Sequence, residues 1–296
     1  MNWVIITLIA SAAQTGRNAA QASLTRAIGT VGATQVRFLF GLPFAILFLG
    51  LVVMATGEGL PRPTLDSLMF TSIGALAQIG ATALMLRLMQ ARSFAVTTAW
   101  LKTEPVIVAL CAAVILKDPL SLPALLAIAI ASAGVITMSL KPGTPSRLAE
   151  AGPALTGLFA AALFGISAIG FRGGILGLPS GGFLIRATAT LVMALAIQTA
   201  VLVIWMLIFD RNALRASFTV WRSSLGAGFL GAFASQFWFI GFALTSAANV
   251  RTLALIEVIM AQGVSHYAFG QSVSRRQMIG MAAIIFGVGL LLRVQP

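Results

Sequence analysis

The chain has 296 residues, 59% of them hydrophobic and only 9% charged, against about 25% charged residues in soluble domains. That composition excludes a lone soluble domain. The net charge of +12 is not a nucleic-acid footprint either, because the basic residues are scattered near the ends of apolar runs, as in membrane proteins. A single cysteine, Cys111, rules out a disulfide within the chain.

The apolar runs are long enough to cross a bilayer, which takes about 20 residues each. Ten helices are predicted in chain order, at 2–25, 33–55, 67–90, 94–115, 121–140, 153–173, 181–208, 224–245, 248–269 and 277–293. Turn chemistry separates them: Gly57–Glu58–Gly59 with Pro61 and Pro63, Lys117–Asp118–Pro119, Lys141–Pro142–Gly143, Gly177–Leu178–Pro179 and Asp210–Arg211–Asn212. The first run has no basic segment ahead of it and carries Gln14, Arg17, Asn18 and Gln21. It is therefore read as a membrane helix rather than a cleavable signal.

The segment 141–152 is the natural midpoint, and it leaves five predicted helices on each side. An odd number per half inverts the second half relative to the first. The expected fold is an all-α integral membrane protein of ten transmembrane helices, arranged as two inverted five-helix repeats, residues 1–145 and 146–296. The duplication is visible in the residues. A gapless shift of 153 superposes Ser93 on Ser246, Glu104 on Glu257, Ser121 on Ser274 and Gly134 on Gly287. A shift of 149 places Gly16 on Gly165, Ala19 on Ala168 and Arg37 on Arg186. The coincidence of rare charged residues carries the weight.

Glu104 and Glu257 lie about ten residues into their helices, near the bilayer midplane. An unpaired charge there costs at least about 2.5–3.5 kcal/mol. Each is either a proton-coupling or substrate-ammonium site, or a structural carboxylate paired with a cation. Pro105 predicts a helix break at Glu104. Val258 follows Glu257, so no second break is predicted.

Spacings of three and four put Gln14, Arg17, Asn18 and Gln21 on one helical face. That face points into the bundle or a water-filled cavity. Arg17 either meets a substrate carboxylate or is the fixed partner of a buried glutamate. Trp100 shares a face with Glu104, as the wall of a pocket or as an interfacial tryptophan. Lys102 snorkels or pairs across helices. Of the membrane glutamines Gln78, Gln198, Gln236 and Gln262, only Gln78 and Gln236 stand out, because their helices flank the glutamate helices in equivalent places. His266 is a hydrogen-bonded structural histidine or a proton shuttle. Arg37 and Arg186 open helices two and seven and are expected to snorkel to lipid phosphates or cap neighbouring carbonyls, with a pore-entrance role second. One histidine and one cysteine give no metal site. No nucleophile elbow or His–Glu helix motif points to an enzyme.

These residues resemble a known family. QVRFLFGLPFAILFL is similar to the opening of helix two in the EamA branch of the drug/metabolite transporter superfamily. SFAVTTAWLKTEPVIVALCAAVILKDPLSLPALLAIAIASAGVITM resembles its fourth and fifth helices. ANVRTLALIEVIMAQGVSHYAFGQSVSRRQMIGMAAIIFGVGLLL resembles its ninth and tenth. Two features depart from the pattern. The family's frequent Gly–Glu–Arg triplet after helices four and nine reads Lys117–Asp118–Pro119 and Gly270–Gln271–Ser272, and its Trp–Gly pair in helix one reads Thr15–Gly16.

The resemblance implies a secondary transporter in a bacterial cytoplasmic membrane that exports or exchanges small metabolites, amino acids foremost, by alternating access. Organic cations or drugs are the alternative cargo, and a non-transporting membrane protein is the alternative of another class. Its implied partners are a small-molecule substrate, the lipid bilayer and, as a coupling option, protons. Neither a cofactor nor nucleic acid is implied, and the chain acts as a monomer or homodimer. The implied site comprises Glu104, Trp100, Arg17, Asn18, Gln21, Gln78, Gln236 and Glu257. The family places both termini in the cytoplasm, whereas the basic residues of the predicted loops favour the opposite orientation.

Overall fold

The computed structural model describes residues 2–91, 101–117, 121–139, 151–259 and 274–294. Among the described residues the structure is all helical. Its elements are α1 (Asn2–Leu39), α2 (Leu42–Thr56), α3 (Leu65–Ala91), α4 (Glu104–Ile115), α5 (Leu122–Ser139), α6 (Ala151–Leu176), α7 (Phe183–Phe209), α8 (Arg211–Thr219), α9 (Trp221–Leu244), α10 (Ala247–Leu253) and α11 (Arg275–Val294). Six spans among the described residues are long and apolar enough to cross a membrane: Ala27–Thr56, Leu65–Leu88, Leu155–Leu176, Phe183–Phe209, Trp221–Leu244 and Arg275–Val294. Glu104–Ile115 and Leu122–Thr137 are shorter apolar helices. Of the four predicted helices not among these spans, the first carries Gln14, Arg17, Asn18 and Gln21, and those at 94–115, 121–140 and 248–269 each extend beyond the described residues.

The chain has the surface of a membrane protein. Met54, Val114 and Phe209 are 83%, 80% and 70% exposed, and such large apolar side chains belong against lipid. The interior holds small residues and aromatic rings, with Phe171 packed on Phe239 at 4.6 Å between centroids.

The expected loop between the first two helices is absent. Helix instead runs through it, bent at Gly29 with φ 75° and ψ 175°, a conformation essentially restricted to glycine. The second arm of α1 then turns at Phe40 and Gly41 into α2, where Pro43 occupies the first turn and its missing donor costs nothing. Arg37 thus lies well inside a span and is only 3% exposed. The expectation that it snorkels to lipid fails, because the helix begins earlier than the apolar run indicates. Arg186 is half-buried near the start of α7, so the two arginines matched by the repeat occupy different surroundings.

Three helix pairs pack most extensively: α3 with α6, α1 with α9, and α5 with α11. Close approach of backbones makes them possible. A β-carbon on Gly134 of α5 would stand 2.7 Å from the Gly280 carbonyl oxygen and 2.9 Å from the Ile284 nitrogen. One on Gly287 of α11 would stand 2.6 Å from the Ala131 nitrogen and 2.7 Å from the Ala127 oxygen. The 153-residue shift carries Ala127, Ala131 and Gly134 onto Gly280, Ile284 and Gly287, so the contact reads the same from either helix.

Both glutamate-bearing helices are broken directly ahead of the glutamate. Lys102 and Thr103 form a turn before α4, and Ala254 and Leu255 form one after α10, with helix resuming over 256–259. The second break was not expected, since no proline follows Glu257. Tightened i→i−3 bonds supply it: Leu255 N–H donates to the Thr252 carbonyl (3.0 Å), Glu257 to Ala254 (3.1 Å) and Val258 to Leu255 (3.1 Å). Near Glu104 the corresponding bond runs from Val106 N–H to Thr103 (3.2 Å).

A short amphipathic helix, α8, replaces the loop expected before α9. Asp210 caps it by accepting from Ala213 N–H at 3.0 Å, and Phe218 packs on Phe40 with centroids 5.3 Å apart.

Candidate functional site

The two breaks bring four charged residues together from the two glutamate-bearing segments. Lys102 Nζ lies 3.3 Å from Glu257 Oε2, and Arg251 Nε lies 2.8 Å from Glu104 Oε1. The cation preceding Glu104 therefore serves Glu257, and the cation preceding Glu257 serves Glu104. The Arg251 contact is a close ion pair rather than an aligned hydrogen bond. Side-chain exposures are 16% and 12% for the first pair and 11% and 14% for the second. Burial at this level makes removal of one partner expensive, about 3–5 kcal/mol.

Trp238 of α9 joins the two pairs. Its indole N–H donates to Gln14 Oε1 at 3.0 Å, and Gln14 Nε2 donates to Glu257 Oε2 at 3.2 Å. An indole only donates and a carboxylate only accepts, so the amide of Gln14 has one consistent orientation. The same ring lies under the Arg251 guanidinium, whose carbon is 5.0 Å from the ring centroid, with Phe242 at 5.7 Å. A cation–π contact contributes about 0.5–1 kcal/mol, and more where it is fully desolvated.

Local caps hold this geometry. Ser246 starts α10 by accepting from Asn249 N–H at 3.2 Å, and the Asn249 amide donates to Thr245 Oγ1 at 2.9 Å. Arg172 of α6 donates to the carbonyls of Phe242 and Thr245, closing the C-terminal end of α9. Glu104 lies in the first turn of α4, where the helix dipole favours a negative charge.

Arg17 is 4% exposed, and its Nη2 donates to Asn18 Oδ1 at 2.9 Å. Arg37 Nη1 donates to Thr82 Oγ1 at 3.3 Å. Both arginines flank Gly231 of α9, where a β-carbon would stand 3.3 Å from Arg37 Cγ and 3.9 Å from Arg17 Cδ. Arg17 lies within electrostatic range of both Glu257 and Arg251.

The remaining expected residues fall elsewhere. Gln21 donates to the Ala33 carbonyl at 3.1 Å and so ties the two arms of α1 across the Gly29 bend. Gln78 accepts from Gln198 Nε2 at 2.9 Å, and Gln236 donates to Thr188 Oγ1 at 2.7 Å. Both thereby anchor α7. Trp100, Gln262 and His266 lie outside the described residues. Arg251 and Trp238 were not among the expected site residues. Arg251 could have been found, because it falls inside the predicted ninth helix, where any ionisable residue is a site candidate. Among the described residues no group of three His, Cys, Asp or Glu side chains could hold a metal.

The apolar exterior, paired charges at two helix breaks and glycine-mediated packing define a multi-pass helical membrane protein. Residues 152–293 match the family model of the EamA-like transporter family. That match, over the second half of the chain, supports an EamA-type membrane transporter of the drug/metabolite transporter superfamily. No curated protein matches the sequence at a significant level. A solved crystal structure of a protein is similar over 98% of this chain and 99% of its own, with a TM-score of 0.68 and 17% identity. That likeness speaks to the fold alone.

Proposed function

We propose that the chain is a secondary transporter of a bacterial cytoplasmic membrane. It exports or exchanges small metabolites that bear a carboxylate, amino acids among them, by alternating access. Residues 1–145 and 146–296 act as inverted repeats. The pairing of helices supports this reading: exchanging the halves turns the α3–α6 pair into the α1–α9 pair and returns α5–α11 to itself. The observation that carries the function is the pair of crossed ion pairs at two broken helices. Discontinuous helices that bring charged groups together are how such carriers build a midplane site.

Substrate enters the network beside Arg17, Asn18 and Glu104, with Glu257 as the counterpart of Glu104. Its charge competes with a resident ion pair, and the released side chains re-pair as one bundle rocks against the other. The equilibrium between the two orientations shifts only by the difference in substrate affinity between them. Gln21, Gln78 and Gln236 position the surrounding helices.

The test is counterflow in liposomes containing the purified full chain, with flux normalised to folded protein. The reading requires flux of at least one carboxylate-bearing metabolite and its loss in Glu104→Gln. Undiminished flux in that variant sinks the assigned role of Glu104. A protein that carries no member of a broad metabolite panel is not such a transporter.

A further inference from the structure

Taking the transporter reading as its base, we infer that Arg17 and Arg37 form an anion-binding pair on the bare face of Gly231, and that the substrate carries a net negative charge. Among the described residues, four cations gather around the site, Arg17, Arg37, Lys102 and Arg251, against two carboxylates, Glu104 and Glu257. Both carboxylates are engaged, one by Lys102 and one by Arg251. Among the described residues, no carboxylate pairs with Arg17 or Arg37.

These two arginines are 4% and 3% exposed. Their hydrogen-bond partners, Asn18 and Thr82, are neutral, and the Nε of each is buried without an acceptor. They lie close enough to act on one another, and both feel Arg251 as well. Arg17 also feels the attraction of Glu257, but that carboxylate is already engaged by Lys102, and buried like charges without a counter-ion of their own are strongly unfavourable. An arriving anion relieves both the repulsion and the unfilled donors. A guanidinium presents its donors as a planar fork that fits carboxylate or phosphate oxygens in pairs. Gly231 lets both stems lie close against α9: a β-carbon there would crowd Arg37 Cγ at 3.3 Å and touch Arg17 Cδ at 3.9 Å.

The same count argues against other cargo. An organic cation adds charge of the sign already in excess. A zwitterion needs a free carboxylate for its ammonium group, and both buried ones are taken. Dicarboxylates, acidic amino acids and phosphorylated metabolites meet the requirement.

The experiment measures binding and counterflow of succinate, inorganic phosphate, alanine and choline at constant ionic strength. Binding is read by thermal shift in maltoside micelles. Flux is read in phosphatidylcholine vesicles with and without phosphatidylglycerol. Succinate or phosphate should stabilise the protein and exchange across the membrane, while alanine and choline do neither. Arg17→Gln or Arg37→Gln should weaken anion binding about 10-fold or more. Arg17→Lys and Arg37→Lys, which keep the charge, should weaken it less, and they serve if the neutral variants do not fold. Flux of alanine or choline without flux of the anions overturns the inference, as does unchanged anion affinity in all four variants. Stabilisation by phosphatidylglycerol alone overturns it in favour of a lipid headgroup site. Anion binding without flux of any probe upholds the arginine pair and overturns the transporter reading instead.

Discussion

Removing both members of the Arg251–Glu104 pair should cost no more than removing either one alone. In Glu104→Gln, Arg251 keeps its place over Trp238 and Phe242, 5.0 and 5.7 Å from the ring centroids, but loses its counter-ion. With side-chain exposures of 11% and 14%, solvent offers little relief, and the cost falls at the lower end of the range for a broken buried pair, about 3 kcal/mol. Arg251→Gln strands Glu104 instead. The first turn of α4 offsets part of that penalty, by about 0.5–1 kcal/mol, while the lost cation–π contact adds to it by a similar amount. About 3 kcal/mol is expected again. The double variant leaves no stranded charge, so its cost should also be near 3 kcal/mol rather than the sum. That gives a coupling energy of about 3 kcal/mol. Reversible unfolding of the four proteins in mixed detergent micelles measures it. Additivity within about 0.5 kcal/mol would show that the two side chains are not energetically paired.

Trp238→Phe should retain the ring over Arg251 and lose only the hydrogen bond to Gln14, costing about 0.5–1.5 kcal/mol; Trp238→Leu should cost distinctly more, read by the same unfolding assay. Gly287→Val should force α5 and α11 apart and destabilise by about 1–3 kcal/mol, whereas Gly289→Val, with nothing within 4 Å of its β-carbon position, should be nearly silent; equal effects refute the close-packing account. Gln198→Leu should lose its bonds to Gln78 and the Ala75 carbonyl at a cost of about 0.6–1.7 kcal/mol without changing substrate affinity, and a selective change in affinity would place Gln78 in the site rather than behind it.

What could be read from the sequence follows from rarity. A glutamate in an apolar helix is costly, so two of them 153 positions apart are informative in the sequence alone, and so is the match of Gly134 with Gly287. The crossed partnership was not legible. Helical spacing tells which residues share a face, but Lys102 meets Glu257 and Arg251 meets Glu104 only after two chain breaks bring the segments together. The break before Glu257 left no proline to announce it, because tightened backbone bonds make it. Arg37 looked like an interfacial anchor while helix two was taken to begin at residue 33. The Gly29 bend puts helix before that point and draws Arg37 into the interior. The glutamines were legible as interhelical polar groups, although their common partner, α7, was not.

The central claim is that the crossed ion pairs join the halves of a working carrier, and a charge swap tests it most directly. Counterflow should be lost in Lys102→Glu and in Glu257→Lys. It should return, at least in part, when both substitutions are made in one protein. Wild-type flux in either single variant, or a folded double variant that stays inactive, would contradict the account.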